Sequence, residues 1–224
     1  MATLNEIAYT ILNKVKPHFS DDSDLNIRTI KHDIHTERAE FLKKRRAKGS
    51  PIIDVFVQDL GCLELEVADA ADCCDITSGC SVLRTKLDIP NDIKITRVGS
   101  IVKTKLKFKY LTYEEALVAG NGRFANNLIY AFPLNNKIYL KSNNQEIALL
   151  SHINVRGVFE DPTEVRAFTQ CGTEITCYSD DDEYPMERAM EKYIREMLIN
   201  VYLKAEQIPI DLANDGKDQT TDNS

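Results

Sequence analysis

Hydrophobic residues recur along this chain at two spacings, and the change from one to the other marks out its parts. Leu4, Ile7, Ala8, Ile11, Leu12 and Val15 fall three and four apart, the stripe of an amphipathic helix that Pro17 ends. The run Ser20-Asp21-Asp22-Ser23-Asp24 offers capping side chains and negative charge for the start of a second helix. In that helix Ile27, Ile30, Ile34, Phe41 and Leu42 lie on or near one face. Its basic end, Lys43 to Arg46, suits the negative pole of the helix dipole, and Gly49-Ser50-Pro51 stops it.

After Pro51 the period shortens. Ile52–Val57, Leu63–Val67, Ser81–Leu87 and Ile93–Arg97 read as strands, with a turn at Asp88–Asp92. Leu106-Lys107-Phe108-Lys109-Tyr110 alternates apolar with basic side chains, as a half-exposed strand does. Thr112 and Glu115 have capping-box spacing for a short helix running to Gly120. Leu128–Phe132 and Lys137–Leu140 flank Asn135-Asn136, a pair that tolerates the positive φ of a tight turn, so a hairpin is expected. Ile153–Phe159 reads as a last strand, and Asp161-Pro162-Thr163-Glu164 as the start of another short helix.

Gln170 to Glu183 has no clear period and reads as an exposed loop. From Pro185 the helical spacing returns: Met186, Ala189, Met190, Tyr193, Ile194, Met197, Leu198, Val201 and Tyr202 form one continuous apolar stripe. From Asp211 onward little can be buried, and a tail disordered in the isolated chain is expected. The fold class is α+β, with helices from both ends of the chain packed together and a β-rich middle as a second layer. The parts are an N-terminal helical part at 1–50, a β-rich region at 51–160, a C-terminal helical part at 161–210 completing the helical layer, and a polar tail at 211–224.

Composition narrows what such a fold can do. The 224 residues are 43% hydrophobic and 28% charged, enough to bury a full core. No basic leader precedes a long apolar run, and no stretch nears the roughly 18 apolar residues that span a bilayer. A soluble, unexported chain without membrane contact is expected. The net charge of −7 argues against gripping nucleic-acid phosphates, yet allows a surface past which DNA slides without sticking. Charge is also uneven, with a basic cluster at Lys43, Lys44, Arg45, Arg46 and Lys48 and an acidic one at Asp180, Asp181, Asp182 and Glu183.

Four of the six cysteines crowd into one run, at Cys62, Cys73, Cys74 and Cys80. The gaps are Cys62-x10-Cys73 and Cys74-x5-Cys80, not the short pairs that present two thiolates to one zinc ion. Adjacent Cys73 and Cys74 point apart in an extended segment, and Cys171-x5-Cys177 could complete a site only through tertiary contact. In a chain of this type the thiols are expected to be reduced and to serve as core packing, with no metal. His32 and His35 are expected as partly exposed helix residues, and His152 has no cysteine beside it in sequence. Gly120-Asn121-Gly122 lacks the frame of a phosphate loop. A cysteine-based, metal-stabilised binding module or thiol-dependent enzyme remains the alternative reading.

The same cysteine run carries a likeness. Val57-Gln58-Asp59-Leu60-Gly61-Cys62-Leu63-Glu64-Leu65, Cys73-Cys74-Asp75-Ile76 and Gly79-Cys80-Ser81-Val82-Leu83-Arg84-Thr85 stand with Leu4-Asn5-Glu6-Ile7-Ala8-Tyr9, Ile153–Pro162 and Asp211–Gly216. Together they resemble a virion structural protein of crAss-like and related Bacteroidetes phages, over most of the chain. The resemblance implies a ring-forming head–tail connector, similar to the adaptor proteins of short-tailed phages. It implies a twelve-fold homo-oligomer below the portal that extends the DNA channel toward the tail. The partners so implied are other copies of the chain, the portal protein, neighbouring ring or tail proteins, and genomic DNA passing without specific binding. The place implied is the virion, after synthesis in the host cytoplasm, with no enzyme activity, no catalytic residue and no cofactor. A ring needs head-to-tail contacts between different surfaces, so Lys43, Lys44, Arg45 and Arg46 on one side and Asp180, Asp181 and Asp182 on the other are the candidate inter-subunit contacts. Reversing Lys43, Lys44 and Arg45 to glutamate should then weaken assembly.

Overall fold

The computed structural model describes residues 2–19, 25–68, 82–100, 107–119, 127–165, 168 and 179–206. Among them are five α-helices and seven strands, a mixed α and β architecture. Helix α1 (Leu4–Val15) is opened by a complete capping box: Thr3 accepts from the Glu6 amide while Glu6 accepts from the Thr3 amide. Helix α2 (Ile27–Ala47) is capped by Asn26, two residues beyond the acidic run that the sequence offered; Ser20–Asp24 lie outside the described residues. It ends at Gly49, whose φ of +68° no side-chain-bearing residue adopts easily.

Helix α5 (Arg188–Glu206) starts three residues after Pro185. Its Met190, Ile194 and Leu198 join Leu4, Ile7, Ile11 and Val15 of α1 and Ile30, Ile34 and Leu42 of α2 in one buried cluster. Each fully buried Leu or Ile there contributes about 2 kcal/mol. Ile93 and Val158 are the sheet residues buried in this cluster, so it sits on the outer face of two strands.

The sheet order is β3-β7-β1-β2-β6-β5-β4, built from β1 (Gln58–Val67), β2 (Leu83–Thr85), β3 (Asp92–Gly99), β4 (Lys107–Tyr110), β5 (Leu128–Leu134), β6 (Lys137–Lys141) and β7 (His152–Phe159). All neighbours are antiparallel except β4 and β5. A second core cluster draws side chains from all seven strands, including Leu63, Leu83, Ile95, Phe108, Ile129, Leu140 and Val155, and none from α1, α2 or α5. The two end strands β3 and β4 also lie against each other. The sheet therefore curls and fills its interior with its own side chains, as a small barrel does. Helix α3 (Tyr113–Val118) covers the other outer wall, where Ala116 packs with Phe132 and Tyr139.

Several local expectations are met. Asn135 and Asn136 have φ of 48° and 59° in the β5–β6 turn. Thr112 and Glu115 form the expected capping box, and β4 alternates exposed lysines with half-buried Phe108 and Tyr110. Asp161 accepts from the Thr163 amide at 2.7 Å at the head of α4 (Pro162–Val165).

Others are corrected. Ile52–Val57 is no strand: Asp54–Phe56 makes a 3-10 turn that buries Phe56 in the helical cluster, while Ile52 and Val57 pack beside it. The strand begins at Gln58 instead and runs unbroken through the predicted Leu63–Val67. It bulges between Asp59 and Cys62, where Gly61 has a φ of +75° and donates to the Asp59 carboxylate at 2.8 Å. Helix α3 stops at Val118, and Gly120 lies outside the described residues.

Candidate functional site

The two charged clusters proposed as contacts sit on the helical layer, and each is engaged within the subunit. Lys43 reaches Glu160 at 2.6 Å, and Lys44 reaches Glu40, one turn back on α2, at 2.8 Å. That second pair holds the Glu40 carboxylate below its usual range and the Lys44 ammonium above its own. Arg45 meets Glu187 at 3.4 Å, and Arg46 donates to the Ile93 carbonyl at the head of β3. The acidic side is held likewise. Asp180 pairs with Lys31 at 2.5 Å, Asp181 accepts from the Asn5 side chain at 2.6 Å, and Asp182 accepts from the Ser179 amide at 3.1 Å.

This acidic stretch is no free loop end. The Asn5 amide donates to the Asp180 carbonyl, and Thr3 bridges Glu183. The rest of the predicted loop, at 170–178, lies outside the described residues. Lys31 and Arg45 are fourteen residues apart on α2, so the acidic and basic patches stand about 21 Å apart along it. They are separate patches on one layer.

Between them lies a group that charge reading missed. Arg38 is fully buried at the middle of α2. Its Nε donates to the Pro185 carbonyl and its Nη1 to the Phe159 carbonyl, each at 3.0 Å. The guanidinium lies 5.8 Å from the centre of the Tyr184 ring, whose hydroxyl is 2.8 Å from His35 Nδ1. One arginine so ties α2 to the end of β7 and to the chain entering α5. Burial pulls the Arg38 guanidinium below its usual value, and its Nη2 finds no partner among the described residues. In sequence it looked like one more charge on a helix. The signal was its place one turn after Ile34 and one before Leu42, on the apolar face.

His35 is partly exposed on α2, as expected, and is the more enclosed of the two helix histidines, since His32 is exposed. Burial pushes the His35 imidazole below the usual value, against the pull of Asp161 at 3.8 Å. Cys62 corrects an expectation, since it is disulfide-bonded rather than reduced, and its sulfur is not a free thiolate. The other five cysteines and Gly120-Asn121-Gly122 lie outside the described residues. Among the described residues no group of three or more His, Cys, Asp and Glu side chains could hold a metal, and no helix is long and apolar enough to cross a membrane.

The outer surface offers more than the linear charge pattern showed. Arg97 of β3 stands directly opposite Arg156 of β7, with Lys94 exposed on the same strand and Lys107 and Lys109 on the adjoining β4. Like charges face to face repel, and the bulge residue Asp59, 3.7 Å from Arg156, offsets part of that repulsion. Apolar side chains are exposed on α3 and on α5, where Ala189, Tyr193 and Val201 of the predicted stripe face outward instead of into the core. An open groove of about 1020 Å³ between the starts of α1 and α5 adjoins that stripe, lined by Glu6, Arg188, Ala189, Lys192 and Arg195 among others.

Comparison with known proteins accounts for this molecule as a whole. The model of a family described as phage tail ring protein 2 matches residues 6–222. Ring protein 2 of Bacteroides phage crAss001 is 26% identical over 228 residues, covering 98% of this chain and 99% of that protein. The likeness to crAss-like phage proteins carried by the cysteine run and its companion segments is borne out.

Proposed function

The chain belongs to the phage tail ring protein 2 family, and we propose that it is a structural subunit of the virion that assembles with copies of itself into a ring of the head–tail connector. In this reading the ring is twelve-fold, stacks below the portal and extends the DNA channel toward the tail. It is made in the host cytoplasm and has no catalytic role. The observation that carries the reading is the span of the family match, which takes in the helical layer, the curled sheet and the segment beyond α5 alike. The subunit is read as the helices of 1–50 and 161–210 packed together on the β-rich 51–160, while the polar tail expected at 211–224 lies outside the described residues.

Lys43 and Lys44, both well exposed, serve this reading as contacts to a neighbouring subunit or ring, with Asp180, Asp181 and Asp182 as the opposed patch. Arg46 is exposed beside the two lysines, and Arg45 adds less, since it is the most enclosed of the four. An excess of negative charge keeps passing DNA from adhering. The test is an electron-microscopy reconstruction of the intact particle with this chain traced in density. A closed ring of twelve copies between portal and tail is expected. A chain absent from that site, or present as single copies, overturns the reading.

A further inference from the structure

Helix α5 carries two parallel apolar ridges, and the core of its own subunit uses one. Met190, Ile194 and Leu198 are buried at spacing four. One residue round the helix, Ala189, Tyr193, Val201 and Ala205 stand exposed on the same four-residue repeat, with Met197 between them partly buried against the core. Tyr193 is 56% and Val201 52% exposed. The Tyr193 ring rests 5.9 Å from that of Phe41 on α2, which fixes it as a knob on the surface. A row of side chains four apart is the ridge one helix offers to another. At its start the ridge meets the groove beside α1, whose Arg188 and Lys192 are exposed.

On the opposite wall of the sheet, α3 also points apolar side chains outward. Leu117 is 60% and Val118 74% exposed, while Ala116 alone of this helix is buried. Its first turn is acidic, with Glu114 and Glu115. The two surfaces are unlike in shape and on different sides of the subunit: α5 belongs to the cluster on β3 and β7, and α3 to the one on β5 and β6. Exposed Arg188 and Lys192 stand among the mixed charges of the first, and Glu114 and Glu115 on the second. That is what a head-to-tail contact requires, since each copy must show one surface forward and the complementary one back.

We propose that α3 of one copy seats on the outer ridge of α5 of the next, with Leu117 and Val118 against Tyr193 and its neighbours and the acidic first turn toward Arg188 and Lys192. The occupant is a second copy of this chain, and the inference rests on the ring reading above. Seating α3 there covers the exposed apolar faces of both helices in one contact.

The test places a photo-crosslinking benzoylphenylalanine at position 193 of the full chain and maps the product from assembled rings by mass spectrometry. The expected crosslink joins position 193 to the segment 113–118 of another copy. Leu117→Glu and Tyr193→Glu, both at exposed positions, should each keep the thermal midpoint within a few degrees and reduce the ring fraction at least tenfold. Rings that crosslink elsewhere, or that survive both substitutions, overturn this contact and leave the ring reading standing. A parent chain that forms no ring, alone or in the particle, overturns the ring reading and the contact with it.

Discussion

The helical layer lets polar groups into its packing, whereas the curled sheet keeps them out. In the layer, Arg38 is buried against two carbonyls, and His35 and Tyr184 bond to each other beside it. The sheet interior is aliphatic and aromatic. Among the described residues its one fully buried polar side chain is Thr85, which accepts from the Ile138 amide at 3.2 Å. The charges of the sheet stay on its rim, in pairs such as Arg84–Glu66 at 2.7 Å and Lys86–Glu64 at 3.0 Å. Rim pairs of this kind contribute about 0–1 kcal/mol. The difference teaches that the two bodies are specified in different ways. Volume alone fixes the sheet interior, while directional bonds fix where the helices meet the sheet, a joint that apolar packing would leave free to slide.

The largest effect should come from removing the bond donor at that joint. Arg38→Met keeps much of the volume but strands the Phe159 and Pro185 carbonyls in a buried site. Each unsatisfied buried acceptor costs about 1–3 kcal/mol, so a loss of about 3 kcal/mol in urea unfolding is expected. A variant as stable as its parent would mean the arginine is a tolerated charge and not a tie. The sheet offers the counterpart. Gly157 of β7 faces Ile95, and a Cβ built on it would stand 3.0 Å from both the Ile95 Cδ1 and the Lys94 carbonyl. Gly157→Ala should cost about 1–3 kcal/mol by overpacking, with no change in pH dependence. A gain in stability would show that the β3–β7 contact has slack.

Much of this contrast was legible in the sequence, for reasons that differ by region. Helix periods, the Thr112 capping box and the Asn135-Asn136 turn are local, and each was read correctly. Ile52–Val57 misled because an apolar run says only that it will be buried, and here a 3-10 turn delivers Phe56 to the helices. The stripe of α5 was read as one broad core face, since spacing cannot tell a buried ridge from an exposed one beside it. The candidate contacts were harder still. Lys43 and Asp180 were visible as charges, but their partners Glu160 and Lys31 are more than a hundred residues away. The facing pair Arg97 and Arg156 exists only through strand register.

The smallest effect isolates the titratable side of the joint. Burial holds the His35 imidazole below its ordinary value of 6.5, opposed by Asp161 and Asp180 and aided by Arg38 and His32, with the Tyr184 hydroxyl at Nδ1. A base weakened by folding binds protons less readily than the same side chain in the unfolded chain. As pH falls below about 6.5 the unfolded state takes up the proton first, so stability declines toward the depressed folded value and is intact above that window. The thermal midpoint of the parent should therefore drop between pH 7 and pH 5 more than that of His35→Gln, which keeps an acceptor for Tyr184 but cannot titrate. The Gly157→Ala variant should follow the parent's slope, because the atoms its Cβ would meet first belong to Ile95, the Lys94 carbonyl and Phe159, none of which titrates. Equal slopes for the parent and His35→Gln would place the pH response on the exposed carboxylates, and the joint would then be held by Arg38 without help from its neighbour.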